Sequence, residues 1–173
     1  MPVYLKKLAR HCQNINEITG RLVSWLSLLI VLTTFSIVVL RYFFNTGSIA
    51  LQESTSYMYS LLFLIGIAYT LKHDEHVRVD IFYQKFSKKS QAIIEILGTI
   101  FLLLPMVIFI FYISWDYVMQ SWQLMEDSPD AGGLPYVYLL KTTILIFCVL
   151  LFIEAISRIL IFIDKLFTPN RTQ

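Results

Sequence analysis

The chain has few charged residues. They make up 15% of its 173 residues, whereas about a quarter is usual for a soluble domain. Hydrophobic residues make up 57% of the chain, and mean hydropathy is +0.65. A soluble core of this length cannot hide so much apolar surface, so the composition predicts a protein whose surface is covered by lipid. The net charge of +2 and the lack of a continuous basic run give no indication of a nucleic-acid partner.

The sequence also has few residues that carry chemistry. Its two cysteines are Cys12, in a basic segment, and Cys148, deep in an apolar run, and these surroundings disfavour a mutual disulfide. Neither belongs to a CxxC or Cys/His cluster, and the G-x-S-x-G, H-E-x-x-H and P-loop motifs are missing. The sequence therefore indicates a protein that is not an enzyme, with no catalytic, cofactor or metal site.

Four apolar stretches are long enough to cross the hydrocarbon core of a bilayer, which takes about 20 helical residues. They are residues 22–40, 54–71, 96–115 and 142–163. Helices are expected because isolated strands would leave backbone groups unpaired in lipid. The predicted fold class is an all-α integral membrane protein, with four transmembrane helices forming one domain over residues 22–163.

The basic residues predict the orientation of these spans. If the four spans are real, twelve of the fourteen Lys and Arg residues lie on one side of the membrane, and only Arg41 and Lys141 lie on the other. Basic residues concentrate on the cytoplasmic side. The sequence therefore predicts that both termini are cytoplasmic, with residues 164–173 as a tail.

Amphipathic segments precede the first two spans. In residues 1–21, apolar side chains recur at spacings of three and four, and the basic residues lie off that stripe. This pattern favours an interfacial helix on the anionic inner leaflet, with a frayed cytosolic tail as the alternative. A second, weaker pattern predicts a short interfacial helix that begins after Ser48.

Two connections invite metal-site interpretations that their spacing does not support. In the second connection, His73 and His76 form an H-x-x-H pattern, which supplies too few ligands for zinc. We expect Asp80 to cap a following helix instead. In the third connection, the acids of residues 126–135 lack the spacing of a calcium loop, while its prolines and glycines favour an ordered turn.

Ionisable residues within the spans occur only in the fourth. Glu154 and Arg158 are four residues apart, so they share one helix face and can pair. Either they contact a partner helix, or they form a self-satisfied interfacial pair in which Arg158 reaches the headgroups. The first three spans contain no charge and no span contains a histidine, which argues against an ion pathway and against bis-histidine haem ligation. The sequence is typical of an accessory membrane subunit.

Four short stretches resemble elements of one family, in the same order relative to four spans. The first is R-Y-F-F-N, from Arg41 to Asn45, and the second is L-Q-E, which ends at Glu53 where the family usually has W-x-E-E. The third is H-V-R-V-D, which contains His76, Arg78 and Asp80. The fourth comprises D-S at 127–128 and G-L-P at 133–135, with Gly133 and Pro135, followed by Lys141. Together they cover essentially the whole chain, which resembles the small permease subunit, DctQ type, of tripartite ATP-independent periplasmic (TRAP) transporters.

The resemblance implies a function and a set of partners. Such a subunit lies in the bacterial inner membrane, among membrane lipids, and enlarges the fixed scaffold of a much larger permease subunit that holds the Na⁺ and substrate sites. A soluble periplasmic binding protein delivers the substrate, commonly an organic acid. The alternatives are a self-assembling four-span protein or an anchor subunit of another complex.

On this view the residues singled out above are contact or topology residues, and none is catalytic. We hypothesise that Arg41 and Glu53 help to orient the complex. The full set is Arg41, Asn45, Glu53, His76, Arg78, Asp80, Gly133, Pro135, Glu154 and Arg158.

Overall fold

The computed structural model describes residues 3–73 and 86–167, and all regular structure in these ranges is helical. Four helices there are long and apolar enough to cross a membrane. They are α1 (Val3–Phe43), α2 (Ile49–Lys72), α3 (Lys88–Leu124) and α4 (Val137–Phe167). The predicted all-α membrane fold is therefore confirmed. The predicted cap at Asp80, with His76 and Arg78, lies outside the described residues.

The two predicted interfacial segments are helical and continue without a break into the spans. Residues from Val3 onward form one 41-residue helix with the first span, since no proline interrupts it and Gly20 is its only glycine. In α2, Ser48 is the N-cap and accepts a hydrogen bond from the Leu51 N–H. This cap starts a single helix that runs from the loop to Lys72.

The third helix contains a π-helical turn, Thr99–Leu103, immediately before Pro105. In this turn the Leu104 N–H donates to the carbonyl of Thr99, five residues earlier. Proline has no N–H, and its ring clashes with the carbonyl four residues before it in a regular helix. The wider turn accommodates the proline, and α3 continues through it to Leu124.

The core of the bundle is built around α4, which packs against each of the other three helices. Half of the residues in its most apolar 18-residue stretch are buried, whereas no residue in the corresponding stretch of α1 is buried. The buried cluster joins α2, α3 and α4 and contains Ala68, Val107, Phe147, Cys148, Leu150 and Leu151. Both cysteines are free thiols.

At Gly20, α1 lies directly against a side chain of α2. A Cβ atom at this position would lie 2.2 Å from the ring of Tyr69. Among the glycines of α1 and α2, therefore, Gly20 provides the close contact, while Gly66 has open space where a Cβ would be. This contact sets how closely the N-terminal part of α1 lies against the end of α2.

Candidate functional site

Polar side chains collect at the two ends of the bundle. One group, here called the termini-side cluster, comprises Asn16, Glu95, Glu154, Ser157 and Arg158. The other, the loop-side cluster, comprises the side chains of Glu53, Glu126, Ser128 and Lys141 together with the backbone N–H of Leu134. Between them the described helices carry no acidic or basic side chain, so the charged groups of residues 3–73 and 86–167 lie toward the two ends of the bundle.

In the termini-side cluster, α1 is attached to α4 by buried hydrogen bonds. Asn16 Nδ2 donates to Glu154 Oε2 at 2.7 Å, and both residues have no exposed surface. Ser157 Oγ donates to the carbonyl of Ala9 at 3.2 Å. Polar groups taken from water are costly unless they are hydrogen-bonded, so these contacts fix the angle at which α1 lies on α4.

Arg158 connects α4 to the other two helices at the same end. Its Nη2 donates to Glu95 Oε2 at 2.8 Å, and its Nη1 donates to the carbonyl of Leu71 at 2.5 Å. Leu71 lies in the last turn of α2, where carbonyls lack partners within the helix. Arg158 is only 5% exposed, so it does not reach out to the headgroups as one interpretation of the sequence holds. It lies inside the bundle and links α2 and α3 to α4.

A more exposed ionic group lies beside this cluster. Glu17 pairs with Lys72 at 2.5 Å and with Arg21 at 2.7 Å, and its carboxylate is 3.3 Å from His73 Nε2. Since Lys72 and His73 end α2, these pairs add a second attachment of α1 to α2.

At the opposite end, Glu53 fastens the loop between α3 and α4 onto α2. Its Oε2 accepts from the Leu134 N–H at 2.6 Å, and its Oε1 accepts from the Ser128 hydroxyl. Gly133 lies between these groups, where a Cβ atom would come within 2.3 Å of Ser128 Oγ and 2.7 Å of Glu53 Oε1. A glycine is therefore required at this position for the carboxylate to reach the loop.

The same loop is fixed at its two helical junctions. Lys141 pairs with Glu126, and its ammonium lies 4.0 Å above the ring of Tyr117. The hydrogen bond from Lys141 holds the pKa of the Glu126 carboxyl below its usual value. Trp122 Nε1 donates to Thr142 Oγ1 at 2.8 Å. These contacts join the end of α3 to the start of α4 and order the loop, as its prolines and glycines predict.

The structure separates the residues singled out from the sequence. Glu53 and Gly133 meet in the loop-side cluster, and Pro135 is exposed in the same loop. Arg41 and Asn45 line a different cavity, between α1 and α2. Glu154 and Arg158 belong to the termini-side cluster. The remaining three, His76, Arg78 and Asp80, lie outside the described residues.

Several functional contacts were not anticipated from the sequence. The contact of Asn16 could have been predicted, because Asn16 lies four residues after Cys12 on the apolar stripe of α1. A polar side chain on such a stripe needs a hydrogen-bond partner. For Glu17 and Glu95 no local pattern indicates the partner, since both pair with residues far along the chain. In the described ranges, no group of three His, Cys, Asp or Glu side chains is placed to hold a metal ion.

Comparison with known proteins identifies the family. A protein-family model described as "Tripartite ATP-independent periplasmic transporters, DctQ component" matches residues 30–163, which is more than three quarters of the chain. No curated protein and no solved structure matches the chain significantly. The matched region includes the last third of α1, all of α2 and α3 and most of α4, so it takes in part or all of each of the four helices. The chain belongs to the DctQ family, the small membrane component of TRAP transporters.

Proposed function

We propose that this TRAP component is a scaffold subunit that holds the large permease subunit during Na⁺-coupled import of an organic acid. On this proposal the periplasmic binding protein delivers the solute to the large subunit, and the present chain binds neither Na⁺ nor solute. The chain lies in the bacterial inner membrane with both termini in the cytoplasm.

The distribution of ionisable groups carries this proposal. Bundles that move ions have ionisable residues at mid-membrane depth, because those residues form the pathway. Among the described residues, the buried charged side chains are Glu154 and Arg158, which lie at the termini-side end and bond to other helices of the same chain. These contacts tie the four helices to one another, which suits a body that stays fixed while a partner moves.

The apolar surface of the bundle is consistent with a membrane partner. On α1, Trp25 is 69% exposed and Phe35 is 66% exposed; on α3, Phe101 and Phe109 are 69% and 63% exposed. Lipid covers such side chains in an isolated subunit. In the assembled transporter we expect the large permease subunit to replace lipid over part of this surface.

Affinity purification tests the assembly. The tagged chain is extracted from its native membranes in mild detergent, and the proteins that accompany it are identified. We expect a large, very hydrophobic permease in a fixed ratio. If the chain emerges alone or only with copies of itself, it is a self-assembling protein and the scaffold proposal fails.

Cysteine cross-linking then locates the contact. In a chain with both native cysteines replaced, single cysteines at Phe35 on α1 and at Phe109 on α3 sample the two exposed faces. We expect at least one of them to cross-link to the permease, while a cysteine at the buried Leu151 does not. A C-terminal fluorescent-protein fusion tests the orientation, since it fluoresces only if the terminus is cytoplasmic.

A further inference from the structure

An open cavity lies at the loop-side end of the bundle, between the end of α1 and the start of α2. Its volume is about 530 Å³. It is separate from the loop-side cluster, since it faces the connection between α1 and α2. Its polar wall contains Arg41, Asn45 and Gln52, and its apolar wall contains Ile37, Leu40 and Leu51.

Arg41 is the feature of this cavity that points to a ligand. The side chain is exposed, and within residues 3–73 and 86–167 it makes no ion pair and no side-chain hydrogen bond. Lys141, which lies at the same end of the bundle, is held by Glu126 and the Tyr117 ring. Arginine stays charged at any physiological pH, and its planar fork matches the oxygens of a phosphate. Arg41 therefore has the charge and the geometry to take an anion.

The walls of the cavity indicate what kind of anion this is. Ile37 precedes Arg41 by one helical turn on the same face of α1, so the backbone positions of the two lining residues are about 5 Å apart along the helix axis. Beside the cavity, Tyr42 and Phe43 are 77% and 80% exposed, and such rings are typical of the membrane–water interface. A phospholipid has its phosphate directly next to its acyl chains, at the depth of the membrane–water interface. The cationic and apolar walls of the cavity match this arrangement.

We propose that this cavity binds a phospholipid of the surrounding membrane. The Arg41 guanidinium donates to the phosphate, the Asn45 and Gln52 side-chain amides supply further donors, and an acyl chain lies along Ile37, Leu40 and Leu51. The lipid fills the gap between α1 and α2 on the side of the membrane where these helices are connected. This binding is independent of the proposed scaffold function.

The test is a lipid titration of the full-length chain in mild detergent, followed by native mass spectrometry. The probe is dioleoyl phosphatidylglycerol, and the variants are Arg41→Gln and its matched control Arg21→Gln. Arg21 is also an exposed arginine of α1, with its side chain 74% accessible, but it lies at the other end of the helix. Loss of a charge-assisted hydrogen bond predicts binding roughly tenfold weaker in Arg41→Gln. In the control we expect the dissociation constant to stay within about twofold, because Arg21 is remote from the cavity.

Two further arms separate the sources of the anion. Dioleoylglycerol has the same chains without phosphate, and we expect it to bind the unaltered chain at least about tenfold more weakly than the phospholipid. Inorganic phosphate at millimolar concentration should not displace the lipid. Displacement by phosphate, or equal binding of the phospholipid by Arg41→Gln and the unaltered chain, overturns the proposal.

A second variant keeps the test decisive if Arg41→Gln does not fold. At Gly47, which lines the cavity, a Cβ atom would meet nothing within 4 Å, and the backbone is not left-handed. Gly47→Trp therefore tests occlusion of the cavity by an indole while Arg41 stays. We expect this variant to elute as the unaltered chain does and to bind the phospholipid at least about fivefold more weakly. Unchanged binding overturns the proposal. So does loss of the large permease from purified Arg41→Gln with lipid binding intact, because the cavity then takes a carboxylate of the partner.

Discussion

Glu53 bonds to two residues that lie 75 and 81 positions away in the chain, and both belong to the loop after α3. The family usually has two acids and a tryptophan near this position, and this chain has a single acid. That acid is nevertheless used fully: one oxygen accepts from the Ser128 hydroxyl and the other from the Leu134 N–H. Glu53 therefore holds the loop in its conformation. If Glu53 also helps to orient a partner, it does so through this loop.

Glu53→Gln tests this role. In glutamine one of the two carboxylate oxygens is replaced by an NH2 group, which cannot accept a hydrogen bond, and the negative charge that strengthens both bonds is lost. We expect amide hydrogens of the loop, residues 126–136, to exchange several-fold faster, while those of α4 are unchanged. Hydrogen exchange followed by mass spectrometry measures this.

The matched control for this variant is Asp127→Asn, which removes an exposed acid of the same loop. We expect exchange in this control to stay at the level of the unaltered chain. If both variants loosen the loop equally, the loss of negative charge is the cause, and the specific contacts of Glu53 are not.

Glu126 gives the loop a defined pH dependence. Its folded pKa lies below the unfolded value of about 4.3, because Lys141 donates a hydrogen bond to the carboxylate. Its contribution to stability is therefore present above the unfolded pKa and is lost as the pH falls through the folded pKa. In thermal unfolding we expect the unaltered chain to have a higher melting temperature than Glu126→Gln. This difference in melting temperature should be largest at neutral pH and should vanish at pH values below the folded pKa. A difference that persists unchanged into acid would contradict the assignment.

At the scale of helices, α1 and α2 pack closely at one glycine, Gly20. A methyl group at Gly20 would overlap the Tyr69 ring, whereas Gly66 on α2 has open space. Because Gly20→Ala overpacks this contact, we expect it to lower the free energy of unfolding by about 1–3 kcal/mol. Gly66→Ala is the control, and we expect it to be neutral or to stabilise α2 by up to about 1 kcal/mol, because alanine favours a helix over glycine. Thermal unfolding in detergent compares the two, and equal effects would mean that Gly20 is not a close contact.

We expect the loss of Arg158 to destabilise the bundle more than Gly20→Ala does, because Arg158 attaches α4 to both α2 and α3. Arg158→Met leaves the Glu95 carboxylate and the Leu71 carbonyl without this donor. Removing one partner of a buried pair typically costs about 3–5 kcal/mol, while replacing both partners by apolar residues is often close to neutral. We therefore expect Arg158→Met to be strongly destabilising and the double variant Glu95→Met/Arg158→Met to recover most of the loss.

A double-mutant cycle of thermal unfolding measures the coupling between the two residues. Arg21→Met is the control, since Arg21 is an exposed arginine. If the Glu95→Met/Arg158→Met variant is as unstable as the sum of its single variants, Arg158 stabilises the bundle through the Leu71 carbonyl and its packing instead.

The helices could be predicted from the sequence because length and hydropathy are local properties. Their contacts could not. At Gly66 and Gly98 an added Cβ atom would meet nothing within 4 Å, whereas Gly20 makes a close contact. Whether a glycine is close to a neighbour depends on where another helix crosses, and no spacing within one helix shows that. Glu154 and Arg158 were recognised as special because charge is rare in a span, but their partners Asn16, Leu71 and Glu95 lie on three other helices.

At the scale of the whole molecule, the position of the charged side chains at the two ends of the bundle bears on function. Among the described residues, the buried Glu154 and Arg158 bond to other helices of the same chain, whereas bundles that move ions have ionisable residues along the pathway. Membership of the DctQ family makes it one component of a transporter, and the proposed division of labour assigns Na⁺ and solute to the large subunit.

Reconstitution tests that division directly. In liposomes with an inward Na⁺ gradient, the purified chain alone should take up neither labelled Na⁺ nor any organic acid above the level of protein-free vesicles. Addition of the co-purified large subunit and the binding protein should give uptake that depends on Na⁺. The Arg158→Met variant, which loosens the bundle, should lower uptake in the same proportion as it lowers the amount of assembled complex, since a scaffold acts through assembly. Uptake that falls while assembly is unchanged would place Arg158 in the transport step and contradict a purely supporting role.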